Sequence, residues 1–165
     1  MAYTVTFLQM TAREQFNPSP RVAGLTLEPL APTSPLIPEL LSRIGAAYGW
    51  KSSRRSAAEW ETWLATHPSR RYSLILFEGE HAGMAVYEPH PGDEVEIKSF
   101  GLLPESIGRG LGGFALTLTI EQAWDLVPGV ARVWLHTSSK DHSHALPNYH
   151  RRGFSTFATQ EHDEP

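Results

Sequence analysis

The sequence predicts an α/β fold of the α+β kind: one mixed, mostly antiparallel sheet of about six to seven strands flanked by helices. Three observations carry this. Residues 72–77, 83–87 and 94–103 are strand-like runs separated by Glu78-Gly79-Glu80 and by Pro89-His90-Pro91-Gly92-Asp93, the first of which suits a tight hairpin, so an antiparallel meander is expected. The third run passes through a glycine-rich loop into an amphipathic stretch, residues 111–127, with Leu111, Phe114, Ala115 and Leu118 on one apolar stripe. After Pro128-Gly129, the uninterrupted Val133-Trp134-Leu135 marks residues 130–137 as a central strand.

The remaining elements follow in order. Residues 4–10 set Val5 and Phe7 opposite Thr4 and Thr6, a period of two that predicts a strand. Pro18 and Pro20 then break the chain, so residues 1–20 fit either an extra strand on the sheet or an arm reaching another subunit. Residues 22–27 form a second short strand ending at Glu28-Pro29. Pro29, Pro32, Pro35 and Pro38 recur every third residue, as in polyproline II ligands. The run leads directly into Leu40, Leu41, Ile44 and Ala47 at helical spacing, however, and reads as a stiff lead-in with Pro38 near the first turn. Gly49 ends that helix, and Lys51, Arg54 and Arg55 fall in an exposed connection. Ser56 and Glu59 form a capping box for a helix through Trp60, Trp63 and Leu64, which His67-Pro68 stops. The two tryptophans share a helical face, which packs on a sheet or lines a pocket. Residues 141–152 read as a short helix closed by Gly153 and residues 154–158 as a last strand, while the acidic tail, 159–165, is expected to fray. With no internal repeat, residues 1–165 read as one domain.

Composition narrows the class. Hydrophobic residues at 41% and charged residues at 19% are globular proportions, and no apolar run approaches the roughly 18 residues of a membrane span. The start lacks a basic region followed by an apolar core, so a soluble, cytoplasmic protein with no membrane partner is expected. The absence of cysteine excludes disulfides, thiolate metal sites and an acyl-cysteine intermediate. A formal charge of -4 offers no electrostatic case for nucleic acid.

The glycine loop carries the chemistry. A strand ending at Leu102-Leu103-Pro104, then Gly108, Gly110, Gly112 and Gly113 opening a helix, is a phosphate cradle: backbone N–H groups approach an anion unobstructed, beside the positive end of a helix dipole. Gly108, Gly110 and Gly113 satisfy the dinucleotide pattern G-x-G-x-x-G, but that fold places the loop after its first strand and needs an acidic residue about 20 positions on. Here only a short chain follows, and the next strand ends in His136-Thr137. No Lys-Ser/Thr pair follows the glycines, which excludes a P-loop. A pyrophosphate held between one strand end and one helix N-terminus suits a coenzyme A derivative.

These residues resemble the GNAT superfamily of acyl-CoA-dependent N-acetyltransferases. The family's loop, Gln/Arg-x-x-Gly-x-Gly/Ala after an aliphatic-x-Pro strand end, is matched by Leu102-Leu103-Pro104 and Ile107-Gly108-Arg109-Gly110-Leu111-Gly112, with Ile107 at the first position. Its second region, Asn-x-x-Ala, a Tyr, then Gly-Phe, is similar to the stretch from Asp141 and His142 through Ala145 and Tyr149 to Gly153-Phe154, with Pro147 an unusual addition. The resemblance spans residues 22–158 and implies a sheet splayed after its fourth core strand, with acetyl-CoA as co-substrate and no metal. It implies a coenzyme site of Leu102, Leu103, Ile107, Gly108, Arg109, Gly110, Leu111, Gly112, Gly113 and Asp141, the backbone of Leu102 and Leu103 serving the thioester oxygen and pantetheine. Glu96, six residues before Leu102, matches the family's glutamate base, and strand alternation puts it on one face with Lys98 and Phe100. Tyr149 stands where the family's tyrosine protonates the leaving thiolate. Among the histidines, His142 with His144 suggests a metal only weakly, lacking a carboxylate pattern. The expected acceptor is a small-molecule amine gripped by residues 46–63, where Trp50 and Trp60 suit a flat or cationic amine. A peptide or protein amine, and a non-catalytic acyl-CoA sensor, are the alternatives, and a homodimer stays open.

Overall fold

A computed structural model describes residues 2–163, which form one seven-stranded sheet with helices on both faces. The strands are β1 (Ala2–Met10), β2 (Leu25–Leu30), β3 (Arg71–Phe77), β4 (Glu80–His90), β5 (Glu94–Leu102), β6 (Arg132–Ser138) and β7 (Ser155–Asp163). The α-helices are α1 (Leu36–Gly45), α2 (Ala57–Thr66), α3 (Gly112–Asp125) and α4 (Ala145–Arg151). The strand order is β2-β3-β4-β5-β6-β1-β7, antiparallel throughout except for β5 beside β6. The expected fold class is the observed one.

Alternation along the strands assigns the helices to faces. Leu74, Met84 and Val86 pack with Ile37, Leu40 and Ile44 of α1 and with Trp60 of α2. Their chain neighbours Ile75, Ala85 and Tyr87 pack in the clusters that contain Ala115, Leu116 and Ile120 of α3. Adjacent strand residues point to opposite faces, so α1 and α2 cover one side of the sheet and α3 covers the other.

The meander β3-β4-β5 forms as expected. Glu78 and Gly79, with φ of 51° and 80°, supply the two positive-φ positions of a tight hairpin turn. The capping box at Ser56 is present with both hydrogen bonds, Glu59 N–H to Ser56 Oγ at 3.2 Å and Ser56 N–H to Glu59 Oε1 at 3.1 Å. Pro38 is the third residue of α1, where its missing N–H has no intrahelical partner to lose. A short 3-10 turn, Ala46–Tyr48, extends α1 to Gly49, whose φ of 68° closes it.

Three expectations need correction. The second strand lies at Leu25–Leu30, taking in Glu28 and Pro29, because β2 is a sheet edge, where a strand tolerates a residue with no N–H. The short helix begins at Ala145, since Asp141 is used in a turn: its Oδ2 accepts from Thr137 Oγ1 at 2.6 Å and from the N–H of Ser138 at 3.0 Å. The tail is not frayed as far as Asp163, because residues 155–163 run as β7 along β1 and gain a full ladder; Glu164 and Pro165 lie outside the described residues. The N-terminal segment, which fitted either an extra strand or an arm, is a strand inserted between β6 and β7. Among the described residues no helix is long and apolar enough to cross a membrane.

Gly153 locks the C-terminal part to the N-terminal part. Its φ is 107°, and a Cβ there would overlap the carbonyl oxygen of Gln15 and sit 2.9 Å from the carbonyl carbon. Gly153→Ala is therefore expected to cost about 2–4 kcal/mol through backbone strain and steric overlap. The measurement is a shift of the denaturation midpoint at unchanged slope.

Candidate active site

β5 and β6 pair for only three residues, Glu94–Glu96 with Arg132–Trp134, and then diverge. On the other side β6 is held by β1 over six register pairs, from Val5 with Ser138 to Met10 with Val133. The backbone groups of β5 that would have met β6 therefore face a cleft of about 870 Å³.

The glycine loop forms one end of this cleft. A 3-10 turn, Pro104–Ser106, leads to Gly108 and Gly110, with φ of 81° and 75° and no atom within 4 Å of where a Cβ would lie. α3 then starts at Gly112 with no side-chain cap at Leu111, so its first-turn N–H groups have no partner from a capping side chain. The positive end of the helix dipole points the same way. The guanidinium of Arg152 lies beside this end, its Nη1 3.4 Å from where a Cβ on Gly113 would be. Arg152 is 9% exposed and its buried Nε has no hydrogen-bond partner. Buried unpaired donors around a glycine cradle are what phosphate oxygens satisfy, so the residues present fit a pyrophosphate.

Of the expected coenzyme residues, Leu102, Ile107, Gly108, Gly110, Leu111, Gly112, Gly113 and Asp141 line the cleft, as does Tyr149. Leu103 does not: it is buried in the α1 cluster, its N–H donates to Ala82 O at 2.8 Å and its carbonyl accepts from Ser106 N at 2.9 Å. Arg109 turns to the ring of Phe77, 5.0 Å away, and is not part of the lining. Asp141 has both oxygens occupied, Oδ1 by Trp50 Nε1 at 2.9 Å and Oδ2 by Thr137 and Ser138, so it braces the cleft across its width.

Glu96 is 3% exposed and sits just outside the lining. Its Oε1 lies 2.9 Å from His90 Nε2, and its Oε2 lies 3.3 Å from Lys98 Nζ and 4.0 Å from His136 Nε2. Lys98 and His136 do line the cleft. The expected shared face of Glu96, Lys98 and Phe100 is not observed in full. The β4–β5 register passes from Val86 opposite Ser99 to Tyr87 opposite Ile97, leaving Lys98 as a bulge residue. A bulge resets alternation, so Phe100 packs with the α3-side clusters while Glu96 keeps Lys98 as its partner. Glu88, His90 and Glu96 also bring one ligand atom each within 4.8 Å of one another, with Arg70 3.3 Å from Glu88.

His136 is the residue that reading along the chain did not single out as reactive. Desolvation by the cleft holds its imidazole below the ordinary value of 6.5, the charge of Glu96 acting in the opposite sense and that of Lys98 in the same sense. Tyr149 is 7% exposed; burial, and secondarily the charge of Asp141, raise its phenol well above the ordinary range, so it is a neutral O–H donor. His142 and His144 line the cleft in a T-shaped contact, their ring centres 5.1 Å apart, whereas His150 turns to Phe154 O. Across from these, Trp50 and Arg55 of the α1–α2 connection and Trp63 of α2 come to the lining, joined by Trp60, which is otherwise buried in the core.

Comparison with curated proteins by sequence finds no match. Among solved structures, the chain is similar to a GCN5-related N-acetyltransferase from Kribbella flavida, at 21% identity and TM-score 0.64 over 94% of this chain and 55% of that one. It is also similar to a GCN5-related N-acetyltransferase from Sphaerobacter thermophilus, at 14% identity and TM-score 0.66 over 96% and 50%. A tandem GNAT protein from the clavulanic acid biosynthesis pathway, at 18% identity, gives 0.59 over 97% and 53%. The chain thus spans about half the length of these structures, and at such identities the likeness is one of fold. The profile of the acetyltransferase (GNAT) family matches residues 37–154. On this match, over most of the chain and including the glycine loop and Tyr149, the protein belongs to the acetyltransferase (GNAT) family.

Proposed function

We propose that the protein is an N-acetyltransferase that moves the acetyl group of acetyl-CoA directly to a primary amine of a small molecule while both are bound. The observation that carries this reading is the divergence of β5 and β6, which opens one cleft onto the uncapped start of α3 at one end and onto Tyr149 and His136 in its walls. The loop glycines, the first turn of α3 and Arg152 take the pyrophosphate. Free backbone groups of β5 around Leu102 receive the amide-bearing arm of the coenzyme and the thioester oxygen.

Proton transfer falls to two places. The amine nitrogen must lose a proton and form a bond to the thioester carbonyl carbon; the pair of His136, in the lining, and Glu96, behind it, is the base, with neutral imidazole accepting the proton and the carboxylate stabilising the resulting imidazolium. As the carbon–sulfur bond breaks, the thiolate takes the proton of Tyr149, which is restored from solvent, giving an amide and free coenzyme A. Glu96 therefore keeps a role in base catalysis, one that acts through its neighbour.

Three outcomes are expected. Exchanging both Gly108 and Gly110 for alanine places methyl groups in the cradle at positive φ, and should weaken coenzyme A binding about tenfold in calorimetry and also lower the melting temperature, each alanine costing about 1–2 kcal/mol of backbone strain. Tyr149→Phe should lower kcat about a hundredfold or more with little change in KM; equal losses in both would assign Tyr149 to packing. The third is a pH profile of kcat. Its acid limb is expected below 6.5, since a lowered imidazole pKa keeps His136 neutral to lower pH. Glu96→Gln removes a charge that raises that pKa and should move the limb down; Lys98→Met removes one that lowers it and should move the limb up. A limb indifferent to both changes sinks the assignment.

A further inference from the structure

Of the tryptophans expected to receive a cationic amine, Trp60 already carries a cation of the protein's own, as does its helical neighbour Trp63. The guanidinium carbon of Arg55 lies 3.9 Å from the ring centre of Trp63 and 4.8 Å from that of Trp60, and that of Arg70 lies 5.0 Å from Trp63. A π-face occupied in this way has little attraction left for a second cation.

The two arginines differ in how their charge is met. Arg70 has a carboxylate, Glu88, at 3.3 Å. Arg55 makes no ion pair or hydrogen bond among the described residues. The acid nearest to it in sequence, Glu59, directs Oε1 to the N–H of Ser56 in the capping box. Burial, and then the charge of Arg70, hold Arg55 below the ordinary arginine value, Glu59 and Tyr72 acting in the opposite sense without reversing the shift. Lys51 and Lys98 line the same cleft, and the one lining carboxylate among the described residues, Asp141, has both oxygens hydrogen-bonded. A chain with a formal charge of -4 has thus concentrated positive charge here. The coenzyme's phosphates do not account for it: Arg55 belongs to the α1–α2 connection on one sheet face, and the phosphate cradle belongs to α3 on the other.

We propose that Arg55 anchors an oxyanion subsite, so that the amine acceptor carries a carboxylate or phosphate group a few atoms from its nitrogen. The guanidinium carbon is held over the rings of Trp60 and Trp63, and a guanidinium positioned in this way has a planar fork of N–H groups with which to pair two oxygens. Naming the ligand an acceptor rests on the acetyltransferase reading; the subsite itself rests on charge and geometry.

The test is titration calorimetry on the full chain, with coenzyme A present and absent, using three matched probes: 4-aminobutanoate, 3-aminopropyl phosphate and butylamine. At least one anionic probe is expected to bind about tenfold more tightly than butylamine. That ratio should collapse toward one in Arg55→Gln and survive in part in Arg55→Lys, which keeps the charge but loses the planar fork. Which anionic probe binds better decides between carboxylate and phosphate. Equal affinity for all three probes, no binding of any at millimolar concentration, or a preference that survives Arg55→Gln would each overturn the subsite. Coenzyme A release from acetyl-CoA is scored separately with the same amines. No release while the anion preference stands would overturn the transferase reading and leave the subsite in place.

Discussion

Everything functional in this fold depends on two neighbouring strands parting company. β5 and β6 are clamped at one end, where Ala131 N–H donates to Asp93 O at 2.8 Å and Arg132 Nη1 lies 3.2 Å from Glu94 Oε1. Past Glu96 they share no ladder. Leaving backbone donors and acceptors unpaired inside a protein costs about as much as losing hydrogen bonds, so the gap persists only because both strands are anchored elsewhere. β5 is paired with β4 along its length and β6 with β1. The unpaired edge is then available to whatever enters, and a coenzyme arm rich in amides is suited to it.

The insertion of β1 between β6 and β7 follows from the same requirement. Without a strand there, β6 would lack a full-length partner, since β5 offers it only three residues. β1 supplies six pairs to β6 and a ladder to β7, with Leu8 and Met10 buried in the α3-side core. Its opposite face carries Phe7 against His136 and Phe157. The N-terminal segment therefore packs next to a residue of the proposed chemistry.

The cleft also has a brace across its width. Asp141, from the turn after β6, holds Trp50, from the connection after α1, and Trp50 lies against Gly101 on β5. Replacing this contact with solvent would free the α1–α2 connection, and with it Arg55. The side of the cleft proposed to meet an acceptor is thus tied mechanically to the turn after β6 on the other side, through one indole N–H donating to one carboxylate.

Most of the architecture and the glycine-loop end of the cleft are legible in the chain alone. Turn chemistry at Glu78-Gly79, the capping box at Ser56 and Glu59, and the glycine loop at the start of α3 are local, and local chemistry can be read from neighbours in the chain. The features that required the folded molecule lie where distant segments meet. The place of β1, the order along residues 155–163, the burial of Leu103 and the turning away of Arg109 each depend on a partner far off in the chain. The bulge at Lys98 broke the period of two on which the facing of Phe100 was inferred. Arg152 beside the first turn of α3, His136 beside Glu96, and two arginines on one tryptophan are juxtapositions across the fold, and spacing along a sequence carries no record of which charges will meet in space.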